Sequence, residues 1–353
     1  MSSERPYVKV PAKSGENIRK TLIEVGFLDI GHRIIAEEGF LYLPLIETME
    51  YEDAARLLEV ATLEIGSRGF QKVNESPSTL SEVLTDILNQ EQLEILPRAY
   101  DLVGDIAVLE IPDELLEFSN RIGSAFLQIH PSFSTVLGKK GAIAGLSRVR
   151  EYSLLAGVDK TDTTHIEYGC KIRVDLAKAY FSPRLLEEHH QVAEQVTDDE
   201  SVLDMFTGVG PFPLHIARRC GANVIALDIN PDAITLLKES LKINKLVGKI
   251  TPICVDAREY IQENLGQDVN RVIMNHPSGA HEFVADACHV LVSGGILHYY
   301  EFLGGDNPEA IFKDRIHQLV EEAGRKVDAI SRIRRVRDSA PYEYQMVGDI
   351  RIR

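Results

Sequence analysis

Residues 204–213 read Asp204-Met-Phe206-Thr-Gly208-Val-Gly210-Pro-Phe-Pro213, between a strand-like apolar run (Ser201–Phe206) and a helical stretch (Leu214–Arg219). Glycines in a strand-to-helix turn let it close tightly and let a ligand approach the backbone. Twenty residues past Gly208, Asp228 ends the next apolar run, where an acid can accept hydrogen bonds from a ribose diol. Asp256 ends the run after that, in Cys254-Val-Asp-Ala257, where a carboxylate can accept from an adenine amino group. Two ligand chemistries compete for this geometry. A nicotinamide dinucleotide wants G-x-G-x-x-G and a pyrophosphate seat at the helix start. Pro213 stands where the third glycine would be, and an acid, Asp204, opens the loop. An acid there suits a ligand with an amine rather than a diphosphate. S-adenosylmethionine has a sulfonium and an amino-acid tail but no phosphate, so three acids at successive strand ends favour it. The fourth run, Arg271–Met274, leads into Asn275-His276-Pro277, which puts a side-chain amide and stiffened carbonyls at the mouth of a sheet.

Strands alternating with helices must hold these groups. Runs at Ser201–Phe206, Asn223–Leu227, Ile250–Cys254 and Arg271–Met274 alternate with helical stretches, which means βαβ units and a parallel sheet. The helix after the second run is the plainest: Asn230 can cap it, Pro231 takes its first position, and Ala233, Leu237 and Leu241 share a face. A strand at Ile296–Tyr300, a helix at Pro308–Ala323 and a hairpin of Lys326–Val336 with Glu343–Ile352 follow; such a hairpin suits an antiparallel edge. Upstream, Tyr7–Val10 and Phe40–Leu45 read as strands. Ser14 can cap a helix with Ile18, Leu22 and Val25 on one face, and Tyr51–Leu63 reads as a second helix. Ser67–Thr79, with its Gly, Ser and Pro, reads as a linker. A second unit follows, with a strand at Asp105–Ile111 and a helix opened by Pro112 that carries Leu115, Leu116, Phe118, Ile122, Ala125 and Phe126. Further strands are read at Thr135–Leu137, Ser147–Leu155, Thr164–Tyr168 and Lys171–Val174.

With these residues in hand, the chain resembles the archaeal and eukaryotic tRNA guanosine-37 N1-methyltransferases, a class I (Rossmann-like) family. Besides the cofactor loop, the resemblance rests on residues 96–107 (Leu96-Pro-Arg-Ala-Tyr-Asp-Leu-Val-Gly-Asp-Ile-Ala107), Arg148-Val-Arg150 with Leu155-Ala-Gly157, and Thr164-His-Ile-Glu-Tyr-Gly169. Tyr180-Phe-Ser-Pro-Arg-Leu185 and Ala340-Pro-Tyr342 complete it. The resemblance implies an α/β fold: a C-terminal methyltransferase domain (171–353) on a seven-strand mixed sheet, after two smaller α+β domains. Of these, 1–70 would recognise the tRNA elbow and 75–170 would bind RNA.

It also implies roles. Glu188 would be the general base on guanine N1, Arg148 would steady O6 as negative charge develops, and Tyr180 would lie beside the methionine end of the cofactor. Asn275 and Pro277 would sit beside cofactor and target base. His189, Asp204, Phe206, Gly208, Gly210, Asp228, Ile229, Asp256 and Ala257 would complete the S-adenosylmethionine site. The chemistry is coherent, because guanine N1 carries a proton, so methylation needs a base and a cation for the O6 anion. No metal is needed for the transfer itself. The chain departs from the family twice, with Glu188-His189 for Glu-Arg and Asn275-His276-Pro277 for Asn-Leu-Pro. His189 would then hold the cofactor carboxylate as an imidazolium or through a neutral hydrogen bond. His189-His190 could instead bind a metal, but no Cys or carboxylate lies at metal spacing, so no metal is expected. Aminocarboxypropyl transfer or C7-methylation of a wyosine intermediate stays open on the same scaffold, as does a tRNA-binding protein without catalysis.

Composition sets the outer limits. The 353 residues are 44% hydrophobic and 26% charged, which excludes disordered and collagenous classes. No apolar run approaches the ~20 residues of a membrane helix. There is no apolar leader at the N-terminus, and four scattered cysteines make no disulfide framework, so the reducing cytoplasm is expected; no obligate protein partner is evident, and a monomer is expected. With 38 Lys+Arg against 54 Asp+Glu the net charge is −16, which taken alone argues against nucleic acid. Position reverses that argument. Bases gather at Lys139, Lys140, Arg148, Arg150 and Arg184, and again at Arg332, Arg334, Arg335 and Arg337, which predicts a local, salt-sensitive docking face for tRNA.

Overall fold

The computed structural model describes residues 2–58, 62–72, 77–144, 149–340 and 342–353. Internal contacts divide the chain into two units, 1–82 and 83–353.

In the first unit, β1 (Ser2–Pro11) pairs antiparallel with β3 (Phe40–Pro44) on one side and β4 (Glu64–Gln71) on the other, and β2 (Ile35–Glu37) pairs with β3. The alternation in β1 turns Val8 and Val10 onto Ile18 and Leu22 of α1 (Gly15–Glu24) and onto Ala54 and Leu58 of α2 (Tyr51–Leu58). Three expectations need correction here. The supposed linker begins as strand: Ser67–Gln71 belongs to β4, and Phe70 is fully buried. Pairing along β1 from Ser2 to Lys9 overrides the weak strand character of these residues. Val25 is the C-cap of α1 and 44% exposed, and Ser14 makes no side-chain cap bond, because the turn Ala12–Ser14 leads directly into the helix. The second helix is described only to Leu58; residues 59–61 lie outside the described residues, and Glu64 is already strand.

The division between the units falls within α3 (Leu80–Leu84), which α4 (Gln90–Glu94) follows. A four-stranded sheet comes next, ordered β5 (Tyr100–Val103), β6 (Ile106–Leu109), β7 (Thr135–Ala144), β8 (Val149–Gly157). β6 and β7 are parallel, and between them in sequence lies α5 (Ser119–Ile129), which buries Ile122, Ala125 and Phe126. Pro112 opens a 3-10 turn over Asp113–Phe118 rather than an α-helix; its tighter period buries Leu115 and leaves Leu116 56% exposed. β5 was not legible as a separate strand, and of the strand read at Ser147–Leu155, residues 147–148 lie outside the described residues. β9 (Asp162–Glu167) and β10 (Cys170–Asp175) form a hairpin whose two turn residues, Tyr168 and Gly169, both have positive φ (43° and 79°).

After α6 (Leu186–Gln195) the chain builds the expected seven-strand mixed sheet. Its order is β13 (Lys249–Cys254), β12 (Asn223–Asp228), β11 (Ser201–Asp204), β14 (Val269–Met274), β15 (Leu291–Gly304), β17 (Glu343–Ile352), β16 (Val327–Ala340). The first five are parallel, and β17 runs antiparallel to both its neighbours. Five helices connect these strands: α7 (Pro211–Arg219), α8 (Pro231–Ile243), α9 (Ala257–Glu263), α10 (Val284–Val290) and α11 (Pro308–Glu322). Asn230 caps α8 as expected, accepting from the Asp232 and Ala233 amides. From β11 the strand order runs outward in both directions, so the crevice beyond its carboxyl end is where such a sheet binds ligands.

Candidate functional site

A pocket of ≈ 200 Å³ is lined by residues that follow β11, β12, β13 and β14. Tyr180, Phe206, Gly208, Asp228, Ile229, Asp256, Ala257, Asn275 and Pro277 all line it. Gly208 and Gly210 hold φ of 55° and 82°, a region that L side chains avoid, and a Cβ on Gly210 would fall 2.3 Å from Leu237 Cδ1. The turn they form sends the Gly208 N–H to Asp228 (2.7 Å), whose other oxygen accepts from the Asn230 N–H (2.8 Å). Asp228 is therefore pinned at the pocket wall, and burial raises its pKa against those two bonds. Asp256 caps α9, its Oδ1 accepting from the Arg258 amide (2.8 Å). Ile229, Val255 and Phe283 supply an apolar wall, and Ile229 is 50% exposed.

Asp204 and Gly210 do not line this pocket. Asp204 is fully buried, and burial pushes its carboxyl up to about 7. Its Oδ1 accepts from the Phe206 amide (3.3 Å), while Oδ2 has no hydrogen-bond partner.

The closing hairpin contributes two groups whose place was not read from the sequence. Arg337 on β16 donates through Nε to Gln345 Oε1 (2.8 Å), and Gln345 Nε2 donates to Asn275 Oδ1 (3.4 Å). A guanidinium can only donate, so it fixes which way each amide in this chain faces. Gln345 must turn its oxygen to Arg337 and its nitrogen to Asn275. With Oδ1 engaged by Gln345, the Nδ2 amide is the donor end of Asn275 at the pocket wall. Gln345 is 1% exposed on β17, a strand that also carries Glu343, Asp349 and Arg351, so nothing in the sequence singled it out. Arg337 also donates to Tyr180 Oη (3.2 Å) and Ser182 Oγ (3.3 Å).

Tyr180 and Arg337 line a second, polar cavity of ≈ 550 Å³ as well. Lys139, Arg150 and Arg184 of the predicted RNA face meet there, and Asp101 pairs with both Lys139 (3.2 Å) and Arg184 (2.6 Å). Lys140 is exposed, and Arg148 lies outside the described residues.

Two neighbouring residues are not where they were expected. Glu188 is 2% exposed and lines neither cavity; it accepts from Tyr300 Oη (3.2 Å) and pairs with Arg334. Burial raises its pKa, with Arg334 pulling the other way. His189 does not line the cofactor pocket: it is buried, with Nδ1 2.7 Å from Glu167 Oε2. The carboxylate that looked missing beside His189 is Glu167, on β9, and His215 of α7 joins it 3.2 Å away. His190 stacks on Tyr168 instead (3.9 Å between centroids). The sequence concealed this cluster because its members come from three elements.

Comparison with known proteins agrees with this geometry. Residues 163–331 match the TRM5/TYW2 methyltransferase domain, 80–161 the TYW2 N-terminal domain and 8–53 the tRNA methyltransferase 5 N-terminal domain. The tRNA (guanine(37)-N(1))-methyltransferase Trm5b of Pyrococcus abyssi is 36% identical over 345 residues, 98% of each chain. The chain belongs to the TRM5/TYW2 methyltransferase family. It is an enzyme of that family, and the likeness extends to structure. The P. abyssi Trm5b crystal structure superposes with a TM-score of 0.76 (35% identity, 99% of each chain). The complex of aTrm5 with tRNALeu gives 0.74 (35% identity, 98% of this chain and 99% of that one). The Pyrococcus horikoshii tRNA(Phe) (4-demethylwyosine(37)-C(7)) aminocarboxypropyltransferase is 31% identical over 277 residues, covering 77% of this chain and 96% of its own. Among the described residues, no helix of this TRM5/TYW2 family member is long and apolar enough to cross a membrane.

Proposed function

We propose that this enzyme transfers a methyl group from S-adenosylmethionine to N1 of guanosine 37 in the tRNA anticodon loop. The observation that carries the reading is the junction of the two cavities. A ligand-sized pocket walled by strand-end acids meets a cation-lined polar cavity at Tyr180 and Arg337, where Asn275 presents a donor. The extent of the match supports it: the Trm5b relative aligns along 98% of this chain, whereas the aminocarboxypropyltransferase, itself 96% covered, matches only 77%.

The pocket fits the cofactor. Asp228 faces it as a ribose-diol acceptor, Asp256 as an acceptor for the adenine amine, and the apolar wall takes the adenine ring. Asp204 makes no direct contact with the cofactor in this reading and shapes the loop through its bond from the Phe206 amide. S-adenosylmethionine supplies an electrophilic methyl on a sulfonium. The protein's task is to make guanine N1 a nucleophile. A carboxylate takes the N1 proton, and donors hold the negative charge that passes to O6. Asn275 Nδ2 is such a donor, and an amine-methylating site would need an acceptor there. Arg148 is proposed as the second. The base is proposed to be Glu188, whose raised pKa suits proton abstraction and whose ion pair with Arg334 must open for it to act. The target base must leave its stack to reach the junction, which suits a loop nucleotide. Lys139, Lys140, Arg150 and Arg184, with residues 75–170 as an RNA-binding domain and 1–70 docking on the tRNA elbow, are proposed to hold the rest of the tRNA. A monomer acting in the cytoplasm belongs to the same proposal.

The test is incubation with labelled S-adenosylmethionine and tRNA transcripts bearing G or A at position 37, followed by nucleoside mass analysis. The expected product is 1-methylguanosine from the G37 transcript alone. Methylation of A37, or an adduct heavier than one methyl on a wyosine precursor with G37 untouched, refutes the assignment.

A further inference from the structure

Apart from the two cavities, Glu167 at the end of β9, His189 in α6 and His215 in α7 converge inside the protein. They are 1%, 2% and 4% exposed. Glu167 Oε2 lies 2.7 Å from His189 Nδ1 and 3.2 Å from His215 Nε2, and one donor atom from each residue lies within 4.8 Å of the others. A carboxylate held away from water needs positive charge beside it. Among the described residues the ion-pair partners recorded for Glu167 are all imidazoles. Its Oε1 makes no hydrogen bond. His165 Nε2 is 3.5 Å from that oxygen, but His165 Nδ1 accepts from the Gly104 amide (3.0 Å), so the His165 proton sits on Nε2. His165 therefore faces Glu167 as a donor, an outer partner that orients the carboxylate.

We propose that Glu167, His189 and His215 hold a divalent transition-metal ion, zinc by the chemistry of the donors. Two neutral imidazole nitrogens and one carboxylate oxygen form a borderline donor set that zinc takes tetrahedrally, with a water in the fourth position. Donors about 2.1 Å from such an ion lie roughly 3.4 Å apart, so Glu167 Oε2 has to back away from His189 Nδ1 by about 0.7 Å and the two imidazole nitrogens, within 4.8 Å of one another, have to close to that spacing. The ion neutralises the buried acid and gives Oε1 or Oε2 a ligand role. Its function is structural. It ties the β9–β10 hairpin to α6 and to α7, and α7 starts at Pro211, directly after the glycine turn of the cofactor pocket. This inference does not depend on the substrate proposed above.

The experiment uses the untagged full chain, unfolded with chelator and refolded with or without zinc chloride. Metal content is read by mass spectrometry after gel filtration, and the thermal midpoint is read in parallel. About one zinc per chain is expected, with a midpoint several degrees above that of the metal-free protein. His215→Gln should cut the content to below about a tenth of an equivalent. His189→Arg should do the same while keeping the fold, because the guanidinium can itself neutralise Glu167. Cobalt in place of zinc should give the visible absorption of a tetrahedral site in the wild type alone. A folded wild type that holds no zinc after reconstitution, or zinc retained in full by both variants, overturns the proposal. In the first case the cluster is a carboxylate–imidazolium network.

Discussion

Replacing Gln345 by Glu reverses one amide without removing any atom from the pocket wall. In the wild type, Arg337 holds the Gln345 oxygen at 2.8 Å, and the Gln345 nitrogen holds Asn275 Oδ1 at 3.4 Å. A carboxylate at 345 still accepts from Arg337, but its second oxygen then faces Asn275 Oδ1, and two acceptors repel. The Asn275 amide must rotate by half a turn, so that Nδ2 donates to the new carboxylate and Oδ1 enters the pocket. The bond made replaces the bond lost at about 1 kcal/mol each, so folding changes little. At the reacting edge, however, a donor becomes an acceptor. Loss of one preorganised donor to a developing oxyanion is worth about 10²–10³ in rate. Single-turnover methylation of a G37 transcript should therefore slow by at least about 10²-fold. Cofactor affinity, read by calorimetry, should hold or rise, since a negative charge lies nearer the sulfonium. Gln345→Met, which neither donates nor accepts, should fall between the two. If Gln345→Glu methylates at the wild-type rate, the assigned amide orientation is wrong.

Other substitutions separate the remaining roles. Asp228→Ala removes the acceptor pinned by Gly208 and Asn230, and calorimetry should show S-adenosylmethionine binding weakened by roughly 10–10²-fold, a loss of about 1.5–3 kcal/mol for a charge-assisted bond. Glu188→Gln should lower the single-turnover rate by about 10²–10⁴-fold with unchanged cofactor affinity; equal slowing in binding and turnover would mark Glu188 as a purely structural residue. Asp204, held protonated up to about pH 7 by burial, binds more protons folded than unfolded between about pH 4 and 7. Its contribution to stability thus falls as pH rises through that window, by up to about 4 kcal/mol. Asp204→Asn should raise the melting temperature relative to wild type more at pH 8 than at pH 4, and a pH-independent offset would contradict the burial argument.

The cofactor loop was legible because its signals are local. Glycines with positive φ and acids at strand ends declare themselves within a few residues, and all but Asp204 and Gly210 of that loop-and-strand-end set line the pocket. Side-chain direction in α6 was not legible. Glu188 and His189 are adjacent, yet on a helix neighbours point about 100° apart. Tertiary packing turns one toward Tyr300 on β15, 112 residues away, and the other toward Glu167, 22 residues away. The misread stretch at Ser67–Gln71 failed for the same reason, since its strand character comes from β1. Gln345 lay hidden because its meaning depends on Arg337 and Asn275, which only the fold brings beside it.

β16 is attached to its sheet through β17 alone, and its pairing slips at four places along the strand. An outermost strand with an interrupted ladder opens more often than the strands within, so its amides should exchange with solvent ahead of those of β17 and β15. Arg334 and Arg337 ride on that strand together. Each fraying event thus loosens the Glu188 ion pair and uncovers the pocket edge at once, so a local fluctuation of the sheet margin couples the proposed proton acceptor and cofactor access on one clock.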